Sequence, residues 1–262
     1  VSIELRPWTE ADVDWWIQLR QADNPSMSEE LLARIASGEH SESPWREVAL
    51  LEGAPIGYAG LESPAWTPTT FALVLVDKAH RGHGIGAQLW ASIARDFGHL
   101  ALNGHHSERN LASRPIVEHW GFVLTSHAIE SELLAADFVP RSAPPTKYSV
   151  STKPSKDLTE SDIEAINHLL VVSATHTEVV ELGWPILLVA DMQAMEPNLV
   201  WTMVWHEGKV VALSSAGDEG VHWHIHYTGV DPQYRNQGLG GAAKSALHEY
   251  GIARGAQVFD TH

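Results

Sequence analysis

The chain has 262 residues and ordinary apolar content, enough for two domains that each bury a core. A formal net charge of -16 argues against a nucleic-acid partner, since phosphates need a basic surface; it suits a cationic acceptor such as an amine, with plain solubility charge as the competing reading. Cysteine is absent, which excludes disulfides and thiolate zinc sites and fits a cytoplasmic setting, and no run has the length and apolarity of a membrane span or signal peptide.

In chain order, the first half predicts a strand near Ile3 to Arg6, then helices from Thr9 and from Ser28. Strands follow at Arg46 to Leu51, Pro55 to Leu61 and Thr70 to Val76. A helix starts after Gly86, a strand lies near Leu100 to Asn103, and a helix ends at Trp120-Gly121-Phe122. Two last strands are expected near Phe122 to Ser126 and Glu130 to Ala136. The non-periodic Pro/Ser segment Arg141 to Thr146 separates the halves, giving domains 1–143 and 144–262. The second half predicts a helix from Thr159, strands at Leu199 to Trp205, Lys209 to Ser214 and His222 to Val230, a helix after Gly240, and a strand at Gln257 to Asp260.

The halves repeat each other. Thr9-Glu10-Ala11-Asp12 and Thr159-Glu160-Ser161-Asp162 both have the T-x-x-D form that opens a helix. The loops Arg81-Gly82-His83-Gly84-Ile85-Gly86 and Arg235-Asn236-Gln237-Gly238-Leu239-Gly240 recur in the same order at nearly the same offset. Two signals recurring together imply two copies of one α/β fold, each with a strand–helix–strand crossover at its loop. Each loop lies between a strand and a helix. The first turn of a helix has unpartnered N–H groups at its positive end, and glycine lets an anion reach them. A pyrophosphate is the natural ligand, a tight turn the bland alternative.

Two phosphate-binding readings compete. Gly82, Gly84 and Ala87, and likewise Gly238, Gly240 and Ala243, satisfy a dinucleotide fingerprint, and Asp260 lies where a ribose-binding acid would sit. Against it, five residues separate each strand from its glycines, and about three strands precede each loop, where the fingerprint uses the first. That reading would make the protein an oxidoreductase. The other ligand is coenzyme A. Val76-Asp77-x-x-His80-Arg81-x-x-Gly84-x-Gly86 and Val230-Asp231-Pro232-x-Tyr234-Arg235-x-x-Gly238-x-Gly240 resemble motif A of the GNAT superfamily of acyl-CoA N-acyltransferases. The opening Leu5 to Asp12 and Trp120-Gly121-Phe122 also resemble that family. The arrangement resembles the tandem GNAT proteins of actinobacteria, with the architecture of mycothiol synthase.

The resemblance implies two mixed, mainly antiparallel sheets whose fourth and fifth strands are parallel and splay apart. Acetyl-CoA would be the cosubstrate: pantetheine along Val74 to Val76 and Thr228 to Val230, pyrophosphate on the amides of Arg81 to Gly86 and Arg235 to Gly240. The acceptor would be a small-molecule amine, whose ammonium must lose a proton before it attacks the thioester. Copy one has an apolar fourth strand, and Val117 where the family often has an acidic Tyr; Glu62 is its remaining candidate. In copy two, strict alternation puts His222, His224 and His226 on one strand face. His226 is the expected base, with His224 and Tyr227 behind it. A metal is not expected, since no nearby acid is evident in the sequence, and a polar sheet face is the bland reading. The repeat would place copy two's Gly-Phe beyond His262, so its last helix and two strands are expected to be missing. These points favour an N-acetyltransferase with copy two catalytic; the alternative is a non-catalytic acyl-CoA-binding or sensing protein.

Overall fold

The computed structural model describes residues 3–24, 27, 29–38, 45–63, 69–107, 110–127, 129–141, 144–174 and 183–261. Ser28, Ser142, Ala143 and His262, which entered the expectations above, lie outside them. The chain divides by packing into two units, Val1–Thr125 and Ser126–His262.

In the first unit, β1 (Ile3–Pro7) leads through a short 3-10 turn into α1 (Val13–Asp23), and α2 (Glu29–Ser37) follows. The T-x-x-D knot forms as expected: Asp12 accepts from the Thr9 N–H at 2.8 Å and is also bound by Arg6. Then come β2 (Trp45–Leu51), β3 (Ala54–Glu62) and β4 (Thr70–Val76). Glu52 and Gly53 both take positive φ, the two-residue mirror turn that matches strand twist in a hairpin. α3 (Ile85–Phe97), β5 (Leu102–Asn103) and α4 (Ser113–His119) complete the unit. The sheet order is β1-β2-β3-β4-β5, antiparallel except for β4 against β5. That parallel pairing covers only Thr70 with Leu102 and Phe71 with Asn103, while β4 runs on to Val76. The two strands therefore part. Trp16, Leu32 and Tyr58 pack on the α1–α2 side, and Ile85, Leu89 and Ile93 of α3 on the other.

The second unit starts with β6 (Ser131–Leu134) and β7 (Ser149–Pro154), followed by α5 (Glu160–Ala174) and α6 (Val189–Met195). Lys153 and Thr159 hold Asp162 as Arg6 and Thr9 hold Asp12. β8 (Leu199–His206), β9 (Lys209–Glu219) and β10 (His222–Val230) come next, with Glu207 and Gly208 repeating the mirror turn. α7 (Leu239–Ile252) and β11 (Val258–Thr261) follow. The sheet order is β6-β11-β10-β9-β8-β7, with β10 parallel to β11. α5 and α6 cover one face around Trp201 and Met203; α7 covers the other around Trp223 and Leu247. The buried Trp16, Trp201 and Trp223 are core packing.

The observed elements differ in part from the expected ones. No strand forms at 122–126, where Val123 and Leu124 are exposed. The strand expected at 130–136 is β6, and it pairs antiparallel with β11, Leu134 opposite Val258 through Ser131 opposite Thr261. Its backbone thus finds partners in the unit Ser126–His262. β7 and α6 were not anticipated. The parallel pairing in otherwise antiparallel sheets, with β5 and β11 at the far side of β4 and β10, is not the parallel sheet of a dinucleotide-binding oxidoreductase.

Candidate functional site

Each glycine loop begins with an aspartate that closes a turn. Asp77 accepts from the Ala79 N–H and Asp231 from the Gln233 N–H, both at 2.8 Å. Arg81 and Arg235 fold back and donate through Nε to the carbonyls of Val76 and Val230, at 2.9 and 3.5 Å. Left-handed backbone then occurs twice per loop: Gly82 and Gly84 at φ 80° and 79°, Asn236 and Gly238 at 62° and 76°. Asparagine tolerates this region better than most residues, which explains the one non-glycine. Ile85 and Leu239, buried in the cores, anchor the first helical turns. Within α3 and α7 the ladder starts with Gln88 N–H to Gly84 O and Ala242 N–H to Gly238 O. The amides of Ile85, Gly86 and Ala87, and of Leu239, Gly240 and Gly241, therefore have no partner within their own helices.

In the second unit this geometry opens into a cleft of 460 Å³. The expected residues Tyr227, Thr228, Val230, Arg235 and Asn236 line it, as do Gly238, Leu239 and Gly240. Gln237 turns elsewhere and accepts from Tyr148 Oη at 2.7 Å. Tyr227 Oη lies 2.7 Å from Ser173 Oγ of α5, and burial raises its phenol, opposed by Ser173 and by Arg235. At Gly240 an added Cβ would lie 3.1 Å from Val230 Cγ2, so a side chain there would crowd β10.

β10 leaves β11 after three rungs: His222 opposite Val258, Trp223 opposite Phe259, His224 opposite Asp260. It then bulges against β9. Ile225 pairs with Ala216 and Tyr227 with Ser215, so His226 is the extra residue. Strict alternation is thereby corrected. His222 and His224 share their face with Tyr227, not with Thr228, and His226 stands at the kink itself, exposed. Its Nε2 is 3.2 Å from where a Gly217 Cβ would be, as is Cγ of Glu196. His224 and His226 meet edge to face at 4.9 Å.

An acid does lie beside these histidines, contrary to the expectation. Asp260 Oδ2 accepts from His222 Nε2 at 2.6 Å and Oδ1 from His224 Nδ1. Burial raises the Asp260 carboxyl, but the bonds from His224 and His222 outweigh it and hold it below the usual range. Occupied in this way, Asp260 is not placed as a ribose-binding acid. Among the described residues no group of three or more His, Cys, Asp or Glu could hold a metal ion.

In the first unit, Val74 and Val76 lie on the α3 face of β4, which keeps register against β3 from Phe71 to Val76 without a bulge. Gly86 is more open than Gly240: its added Cβ would meet Val76 at 3.7 Å and Trp120 at 3.9 Å. His83 is exposed and its Nδ1 is 3.3 Å from the His80 carbonyl. Trp120 stacks on Trp90 at 5.1 Å, so Trp120-Gly121-Phe122 closes over the start of α3. Burial pushes the Glu62 carboxyl up, only partly opposed by Arg46 and Arg20.

Four side chains of the second site were missed from sequence: Ser173, Glu196, Asp260 in this role, and Arg141, whose Nη1 is 3.1 Å from where a Gly241 Cβ would stand. None belongs to a local motif, and the T-x-x-D repeat that placed α5 was the only signal leading toward one of them.

Comparison with known proteins agrees with this geometry. The family model for the acetyltransferase (GNAT) family matches residues 8–122 and again 164–261. Among solved structures, a tandem GNAT protein from the clavulanic acid biosynthesis pathway, determined without AcCoA, superposes with a TM-score of 0.74 at 17% identity, covering 99% of this chain and 89% of that one. A GCN5-related N-acetyltransferase from Sphaerobacter thermophilus gives 0.71 at 17% identity, covering 99% and 85%. At this identity the likeness establishes a shared fold. No curated protein sequence matches the chain. With two matched segments spanning most of its length and the glycine loop, splayed strands and helix start present in each, the chain belongs to the acetyltransferase (GNAT) family and carries its domain twice.

Proposed function

We propose that the protein is an N-acetyltransferase that moves the acetyl group of acetyl-CoA to the amine of a small molecule, and that the second unit does the chemistry. One observation carries this reading. In that unit alone, among the described residues, the strand entering the splay bulges at a titratable side chain, His226, and continues into a cleft ending at free helix-start amides.

The pyrophosphate of acetyl-CoA would lie on the amides of Arg235 to Gly240, and pantetheine along the edge of Thr228 to Val230. The thioester carbonyl then meets the kinked backbone, whose N–H groups can stabilise the oxyanion. His226 takes a proton from the acceptor ammonium, and the freed nitrogen lone pair attacks the carbonyl carbon. The C–S bond breaks, its electron pair leaving on sulfur, and the attacking nitrogen gives up a second proton that the sulfur takes, so that coenzyme A leaves as the thiol. Clusters of carboxylates around the strand pair, Glu196, Glu219 and Asp260, favour a cationic acceptor.

The first unit is proposed to bind acyl-CoA without turnover. Its β4 is apolar and unbulged, and it offers no side chain on the strand that can take a proton. The test is titration with acetyl-CoA and CoA, then turnover against an amine panel, read as thiol release. With no cysteine in the chain, that readout has no background from the protein. Binding without turnover on any amine would replace this reading by the acyl-CoA-sensing one.

A further inference from the structure

Asp260 stands on the last rung of the parallel pair, one step before β10 and β11 part. Its two oxygens are both engaged, Oδ2 with His222 Nε2 at 2.6 Å and Oδ1 with His224 Nδ1. An ionised carboxylate only accepts, so each ring nitrogen facing it carries a hydrogen. One carboxylate thereby holds two imidazoles in opposite tautomers. His222 is the Nε2–H form and His224 the Nδ1–H form, which leaves His224 with a lone pair on Nε2. The His224 ring touches His226 edge to face at 4.9 Å. All three side chains of the bonded group are about a quarter exposed, so it exchanges protons with water.

Acetylating an ammonium has a fixed proton balance. RNH3+ and a thioester give an amide, a thiol and one proton per turnover. A base that keeps that proton would stay charged through the next cycle. We infer that His222, Asp260 and His224 form the proton exit of the second unit's site, with Asp260 as a positioning residue; this rests on the amine transfer proposed above. The ammonium N–H breaks as His226 takes the proton, and the electron pair stays on nitrogen. The proton then passes to Nε2 of His224, directly or through one water. The imidazolium so formed is paired with the Asp260 carboxylate, which stays anionic, and returns its proton to solvent. His222 fixes the second carboxylate oxygen and keeps Asp260 turned toward His224.

Among the described residues, the other charged groups beside this strand pair are carboxylates. Glu219 is opposite His222, Asp218 opposite Trp223, Glu132 on β6 opposite Asp260, and Glu196 lies over Gly217. On the α5 side Ile166, Leu170 and Ser173 are buried while Glu164 and His168 are exposed; on the α7 side His248 packs on Phe259. None of these changes in the variants below.

The test combines long-range proton–nitrogen NMR of the full chain with kinetics. Wild-type protein should show His224 as Nδ1–H and His222 as Nε2–H. Asp260→Asn should lower kcat about tenfold, below the hundredfold scale of losing the base itself, with the KM for acetyl-CoA unchanged. Its ascending pH limb should move to lower pH, because a protonated base unit loses its neighbouring negative charge. Asp260→Glu should restore part of kcat. A wild-type spectrum with His224 as Nε2–H would overturn the inference, and so would a folded Asp260→Asn with unchanged kcat and pH limb. Should Asp260→Asn not fold, the wild-type spectrum and His222→Gln, expected to lower kcat by the same route, decide the matter. Absence of any wild-type turnover would instead count against the transfer reading itself.

Discussion

In the first unit β4 runs from Thr70 to Val76 in unbroken register with β3; in the second, β10 slips by one residue at His226. Counted back from the terminal valines, Glu62 of β3 and Gly217 of β9 hold the same place. The first unit fills it with a carboxyl raised by burial. The second leaves it bare, and the His226 imidazole and Glu196 converge there. The loops behave oppositely. Their two left-handed residues recur within 20° of each other, and both aspartates close the same turn at 2.8 Å. A loop whose backbone amides would themselves hold a phosphate is hard to vary, because its conformation would be the binding site. A strand face can be re-equipped by one bulge and one glycine.

The largest expected effect breaks this contrast at its centre. His226→Ala should lower turnover by about a hundredfold or more, the scale of removing a general base. Acetyl-CoA affinity should hardly change, since pantetheine would meet the backbone of β10 and not this ring. Steady-state kinetics together with a binding titration check both halves. Full activity in the variant would leave the bulge a structural feature and return the two strands to equal standing.

A second asymmetry lies under α7. His248 is buried against Phe259 and Phe138, and its Nε2 has no hydrogen-bond partner among the described residues. Burial first, then Lys244, lowers its pKa to about 4. The residue at the same place in α3 is Ala94. A histidine with a depressed folded pKa favours the unfolded chain when protonated, so its cost appears as pH falls below about 6.5 and grows toward 4. At pH 5 this amounts to roughly 2 kcal/mol, charged to the second unit alone. Chemical denaturation of the full chain between pH 7 and 5 should show that unit weakening, and His248→Leu should flatten the trend. An equal loss in the variant would place the acid sensitivity elsewhere.

The paired loop variants sharpen the comparison where the units agree. Gly240→Glu should weaken acetyl-CoA binding at the second unit at least tenfold, about 1.4 kcal/mol. Gly86→Glu should do the same at the first. The packing differs, however. A Cβ at Gly240 crowds Val230 at 3.1 Å, whereas at Gly86 the nearest atom is an ordinary 3.7 Å away. Gly86→Glu is therefore the cleaner probe of anion access, and Gly240→Ala separates packing from charge in the second unit. Loss of turnover in Gly86→Glu with turnover intact in Gly240→Glu would reverse the assignment of the catalytic unit.

What was legible in the sequence was local. The loops, the T-x-x-D knots and most strands follow from residues a few positions apart, and their backbone conformations are set by the same residues. The bulge was hidden because His-x-His-x-His reads as perfect alternation; only the pairing with β9 shows the slip. Asp260 was visible as a residue but not as a neighbour of His224, because the register of a parallel pair joined through a helix is not a local property. The pairing of β6 with the second unit's sheet was hidden for the same reason. This strand is defined by β11, which lies more than a hundred residues later.

The segment around β6 supplies the smallest effect. After β6 the chain returns along α7, where the Arg141 N–H donates to Ser245 Oγ at 3.0 Å. Its guanidinium then comes to rest beside Gly241, with Nη1 3.1 Å and Cδ 3.2 Å from the position of an added Cβ. This puts a fixed positive charge next to the helix-start amides of the second unit. In the first unit the loop arginine Arg81, whose counterpart is Arg235, is drawn toward Asp23 at 3.5 Å. Arg141 is exposed, so water and salt screen it, and its attraction for a phosphate should be worth under about 1 kcal/mol. Arg141→Ala should therefore weaken acetyl-CoA at the second unit only a few-fold, and the difference should shrink as ionic strength rises. It should leave kcat alone, because the charge lies beside Gly241 at the helix-start end of the cleft, and the proposed base is His226 on β10. Titration of wild type and variant at low and high salt checks this. A salt-independent loss would point to the Ser245 contact and the packing of α7, and the cationic distinction between the two loops would then fall away.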